Sequence, residues 1–97
     1  MLVPTPPERL LDTKGRPYFL WDCALSMPEL RERLNDPDRQ VRAYWAGKVM
    51  RQAKPDDAIQ LLGLDEMCNL WPELHRYLGR RRAFWTWLFD RWGLQCF

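Results

Sequence analysis

The stretch from Ser26 to Ala53, SMPELRERLNDPDRQVRAYWAGKVMRQA, decides the fold. It opens with Ser26-Met27-Pro28-Glu29, a capping box. The serine oxygen accepts from the backbone three residues on, and Glu29 reaches back to the serine N–H. A helix is predicted from there to about Asn35, with Leu30 and Leu34 inward at i, i+4. Asp36-Pro37 restarts the chain, with aspartate as N-cap and proline at the first helical position, where its missing N–H is not needed. The second helix is predicted to run to about Ala53 and to stop at Lys54-Pro55.

Working outward, Pro55-Asp56-Asp57 opens a third helix with carboxylates where the macrodipole favours them, and Gly63 ends it. Leu64 to Leu70 reads as another short helix capped by Asp65. Trp71-Pro72-Glu73 opens a further one ended at Gly79, and a last helix covers Arg80 to Trp92 with Gly93 as terminator. On the other side, residues 1–17 hold Pro4, Pro6, Pro7 and Pro17, half of the eight prolines. Proline removes backbone donors and biases its predecessor to extended geometry. The expectation is an extended arm over residues 1–22 and a helical domain over 23–97. Nothing from Ser26 to Gly93 alternates with period two, so the fold is predicted all-α, a compact bundle of five or six short helices.

The arm ends in Arg16-Pro17-Tyr18-Phe19-Leu20-Trp21-Asp22. Four large apolar residues in a row cannot all face water. Tyr18, Phe19 and Trp21 either strap over the helices or form a docking segment for a partner. The chain has 97 residues, room for one domain, and six Trp, four Phe and three Tyr. Each aromatic can bury roughly 150–250 Å², which helps so small a domain reach a stable core. No stretch approaches the roughly 18–20 apolar residues of a membrane span, and Met1 to Arg9 lacks a basic-then-apolar leader pattern. A soluble cytoplasmic protein is expected.

The formal charge of +2 does not by itself argue for nucleic acid. Residues 1–47 balance; Lys48, Arg51 and Lys54 are followed by an acidic block from Asp56 to Glu73. Beyond it come Arg76, Arg80, Arg81, Arg82 and Arg91 against Asp90. Most of this is a solvated surface, but the Arg80-Arg81-Arg82 run, with Arg76, is a candidate nucleic-acid footprint.

Cys23, Cys68 and Cys96 fit no Cys-x-x-Cys spacing, so reduced thiols are expected. A zinc site needs four ligands, and His75 adds only one to these scattered cysteines. No metal and no cofactor are predicted. The single serine, Ser26, is a cap, His75 has no nucleophile beside it in sequence, and no Gly-rich phosphate loop exists. The chain is read as not an enzyme.

On a helical wheel, Val41, Ala43, Trp45, Ala46, Val49, Met50 and Ala53 share one broad arc, and Arg42 falls in its middle. A buried guanidinium needs a partner. Asp38, four residues earlier, is the first candidate and Asp22 the second, which makes Arg42 and Asp38 a predicted structural ion pair. On the last helix, Phe84, Trp85, Leu88, Phe89 and Trp92 form the arc. Arg81 lies within it but in the first turn, from which it can lean out. Trp87 lies off the arc, near Arg80 and Arg91. It is covered by the strap, or stacks on those arginines, or is an exposed aromatic flanked by cations, as at binding hot spots.

Two resemblances follow. Leu34-Asn35-Asp36-Pro37-Asp38-Arg39-Gln40-Val41-Arg42-Ala43 resembles the helix-turn-helix junction of a HEAT-type repeat, over one repeat of about 30 residues. It implies an Asp–Arg link that makes Arg42 structural. The segments Arg16 to Asp22, Arg42-Ala43-Tyr44-Trp45, Leu70-Trp71-Pro72-Glu73-Leu74 and Leu78 to Trp85 resemble a family of small bacterial proteins. Members are often encoded beside abortive-infection-type nucleotidyltransferase toxins. This resemblance implies an antitoxin-like or accessory protein whose partner is such a toxin. The expected function is non-enzymatic protein binding through Tyr18, Phe19, Trp21, Trp87, Arg80 and Arg91. The alternative is a small nucleic-acid-binding regulator using Arg76, Arg80, Arg81 and Arg82, and self-association through exposed aromatics is a third.

Overall fold

The capping box between Ser26 and Glu29 forms as the sequence demands. Glu29 N–H donates to Ser26 Oγ, while Ser26 N–H donates to Glu29 Oε1 at 3.1 Å. A computed structural model describes residues 3–93 of the chain. Among them are six α-helices: α1 (Pro7–Leu10), α2 (Met27–Leu34), α3 (Arg39–Gln52), α4 (Pro55–Leu62), α5 (Leu64–Leu74) and α6 (Arg81–Arg91). Two single 3-10 turns, Tyr18–Leu20 and His75–Tyr77, complete the order. The described residues contain no strand, only an isolated bridge between Leu11 and Pro17. The protein is all-α, a small helical bundle.

Helix α3 is the axis of the bundle. It packs against α2, α4, α5 and both 3-10 turns. That central place explains why its second half is buried nearly all round, with Ala46, Gly47, Lys48, Val49 and Met50 all inside. Gly47 sits where α3 meets the His75–Tyr77 turn; a Cβ there would lie 2.8 Å from Tyr77 Cβ. The buried core continues through Phe19, Leu20, Leu30, Met67, Leu70, Leu74, Trp85 and Phe89. Trp45 packs on its edge, half-buried, with the Arg33 guanidinium 5.9 Å from its ring centroid. Among the described residues no helix is long and apolar enough to cross a membrane.

Several boundaries differ from the sequence expectation. Helix α3 starts two residues later, with Asp38 as the N-cap accepting from Gln40 N–H at 2.9 Å; Asp36 instead accepts from Asp38 N–H. Helix α5 runs straight through Pro72 rather than breaking at Leu70. Proline interrupts a helix by removing one hydrogen bond and crowding the preceding turn, but Trp71 and Leu74 flank it in the core. Their burial holds the last turn of α5 in place, and the axis then tightens into the 3-10 turn. Gly63, at φ 83, serves as the end of α4 and the N-cap of α5, so Asp65 lies in the first turn instead of capping. The arm is not wholly extended: α1 is a single turn of four residues with none buried.

The predicted Arg42–Asp38 ion pair does not form, because Asp38 is spent on the cap. Asp22, the second candidate, pairs with the buried Lys48 at 2.7 Å. Arg42 Nε is buried with no hydrogen-bond partner among the described residues. The guanidinium that ties the hairpin to its neighbour is Arg39, which donates from Nε to Glu73 at 2.8 Å and also reaches the carbonyl of Asn69. Hydrogen bonding to Arg39 holds the Glu73 carboxyl below its ordinary range. Cys23 is a free thiol, whereas Cys68 is disulfide-bonded, unlike the three reduced thiols expected. Cys96 lies outside the described residues.

Candidate protein-binding face on the last helix

Helix α6 divides its aromatics between two environments. Trp85 and Phe89 are fully buried, and Trp85 Nε1–H donates to the Met50 carbonyl at 3.0 Å. Phe84 and Leu88 are half-buried against the core. Trp87 keeps 54% of its surface exposed and Trp92, the C-cap, keeps 47%. The split follows from period: residues 85 and 89 lie one turn apart on the inner side, and 87 falls opposite them.

Trp87 is held by two neighbours. The Phe84 ring lies 6.1 Å away, and the Arg91 guanidinium sits 5.6 Å from the indole centroid. Such a cation over an aromatic face is worth about 0.5–1 kcal/mol at an exposed site. Arg80, Arg82, Ala83, Thr86 and Asp90 complete a shallow hollow beside the indole. Arg81, although central to the apolar arc on a wheel, is exposed, as its first-turn position allows. None of Arg80, Arg81, Arg82 and Arg91 forms an ion pair among the described residues. On the other flank of α6, Phe84, Leu88 and Trp92 line an apolar cleft of about 620 Å³ shared with Pro55 and Ile59 of α4.

The remaining expected site residues are scattered. The strap is divided by its 3-10 turn: Phe19 is core, Trp21 is 78% exposed, and Tyr18 is half-buried and occupied. Tyr18 Oη–H donates to Asp57, and Tyr18 Oη accepts from Lys54 N–H at 2.9 Å. Phe19 is thereby removed from any free surface and reassigned to structure. Arg76 donates to Gln40 Oε1 at 2.7 Å and lies over the Tyr77 ring, so it is bound to α3 and its own turn.

Asp57 is a polar centre that the sequence reading missed. It is only 5% exposed and accepts from Thr5 N–H, Thr5 Oγ1–H and Tyr18 Oη–H. Burial alone pushes its carboxyl upward, but the donors from Thr5 and Tyr18 outweigh that and hold it below its ordinary value. Its place after Pro55 and Asp56 made it look like an ordinary first-turn carboxylate. Among the described residues no group of three His, Cys, Asp or Glu is placed to hold a metal ion. No protein-family model, no curated protein and no solved structure matches this chain.

Proposed function

We propose that this chain is a non-enzymatic protein-binding module whose docking surface is the outward face of α6. Trp87 is the anchor, with Arg80, Arg82 and Arg91 around it. The observation that carries the reading is the half-exposed indole of Trp87 under the Arg91 guanidinium, among arginines that form no ion pair within the described residues. An exposed tryptophan ringed by arginine has the composition of interface hot spots, and the unmatched positive charge fits a partner presenting carboxylates. The resemblance of the Arg16–Asp22 and Leu78–Trp85 segments adds the first partner to test, a nucleotidyltransferase-like toxin neutralised or assisted by this chain.

The test is co-expression with the product of the adjacent reading frame, followed by size-exclusion chromatography of the pair. The reading expects co-elution that persists above 0.5 M salt, because contacts built on aromatic burial are little screened. A second reading rests on the exposure of Arg80, Arg81 and Arg82, which would make this helix end a nucleic-acid contact. Phosphate binding releases counterions, so affinity for a DNA duplex would then fall steeply between 50 and 200 mM salt. Duplex binding without a protein complex would favour that second reading.

A further inference from the structure

We propose that residues 3–10 form a releasable cover over the groove between α2 and α4, latched by the carboxylate of Asp57 and hinged at the Asp12–Arg16 turn. The hinge is well fixed. Asp12 Oδ1 accepts from Lys14 N–H and Arg16 N–H, Asp12 Oδ2 pairs with Arg16 Nε at 2.9 Å, and Met27 N–H donates to the Gly15 carbonyl. Beyond it, Phe19 and Leu20 are locked in the core.

The segment before the hinge is held differently. Its one-turn helix α1 buries no residue. The polar anchors that fasten it to the body fall on two adjacent carboxylates of α4: Val3 N–H to Asp56 at 2.9 Å, and Thr5 N–H with Thr5 Oγ1–H to Asp57. A cavity of about 390 Å³ lies between Pro4, Pro7 and Leu10 above and Met27, Phe19 and Leu61 below. Leu10 packs on the edge of the core at the hinge end, and the rest of the cover is held by its hydrogen bonds to α4. Asp57 joins the fixed and the movable parts, since Tyr18 reaches it from the anchored side and Thr5 from the free side. When the cover opens, Tyr18 still donates to the Asp57 carboxylate, while Val3 and Thr5 exchange their bonds to α4 for water. Local opening of this kind draws on the low-stability end of a structure and leaves the core intact.

The test uses the full chain, as parent and as Thr5→Val. Hydrogen exchange is followed at Val3 and at residue 5, whose amides bond to the carboxylates of Asp56 and Asp57, and at Met50 in α3 as the core reference. Losing one hydrogen bond to a charged group is expected to speed exchange at those two amides by about tenfold. In low urea their exchange should hardly respond to denaturant, because lifting the cover exposes little surface, whereas exchange at Met50 should rise with it. Trypsin cleavage after Arg9 should accelerate in Thr5→Val. The proposal is overturned if the two amides exchange no faster than Met50 in the parent, or if their rates rise with urea as steeply as that of Met50. It also fails if Thr5→Val leaves their rates unchanged.

Discussion

Replacing Trp85 with phenylalanine separates the inner from the outer side of α6. The last carbonyls of a helix lack intrahelical donors. In α3 the Val49 carbonyl is taken by Ala53 N–H, and the Met50 carbonyl by the indole N–H of Trp85 at 3.0 Å. Trp85→Phe removes that donor inside a site with no solvent exposure. Leaving a buried carbonyl unsatisfied costs about 1–3 kcal/mol, and the void left by the smaller ring adds about 1 kcal/mol. The sum, about 2–4 kcal/mol, is a large share of the roughly 5–15 kcal/mol that holds a domain together. For a chain of this size each kcal/mol lowers the midpoint by about 4–8 °C, so a fall of at least about 8 °C is expected in thermal denaturation followed by helical circular dichroism. Trp87→Phe, two residues along the same helix, should stay within about 0.5 kcal/mol. If Trp85→Phe melts within about 3 °C of the parent, the Met50 carbonyl does not depend on the indole and the orientation of α6 is wrong.

Three further outcomes follow from the packing. Gly47→Ala gains about 1 kcal/mol of helix propensity, but its methyl meets Tyr77 Cβ at 2.8 Å. Overpacking at about 1–3 kcal/mol should win, and a urea titration should show a lower midpoint. Trp45→Ala should cost less than the roughly 3–5 kcal/mol of a fully buried aromatic, because the ring is only half-buried; chemical denaturation of this variant measures the difference. Asp57 and Asp22 both have carboxyls held below their ordinary values, Asp57 by Thr5 and Tyr18 against the pull of burial and Asp22 chiefly by Lys48. For a depressed carboxyl the stabilisation is present above the unfolded-state pKa, about 3.9, and is lost as pH falls through the folded-state value. Stability should therefore be flat near neutrality and decline below about pH 4, and Asp57→Asn should shallow that decline in pH-dependent melting.

The α2–α3 hairpin was legible because its signals are local: a capping box, a turn and a periodic arc all point the same way. Pro72 misled for the same reason. A local breaker was overridden by Trp71 and Leu74 entering the core on either side of it. The run Tyr18 to Trp21 carried no period, so a 3-10 turn that sends Phe19 and Leu20 inward and Trp21 outward left no trace in the sequence. The wheel located the charged residue on the apolar arc of α3 but not its neighbours. Carboxylates reach α3 from distant positions, Asp22 to Lys48 and Glu73 to Arg39, and such pairings are settled by packing between elements. Trp87 was the readable part of the candidate site, because its angle relative to Trp85 and Phe89 follows directly from helix geometry.

The central claim is that the Trp87 face of α6 binds a protein partner without supporting the fold. It is tested by titrating the adjacent-frame product into the parent chain and into Trp87→Ala, with melting curves of both chains recorded alongside. Truncating a central interface aromatic typically costs 2 kcal/mol or more, so Trp87→Ala should weaken binding by at least about tenfold while the melting temperature stays within about 2 °C. Equal affinity of the two chains, or a loss of affinity matched by a collapse in melting temperature, would contradict the claim.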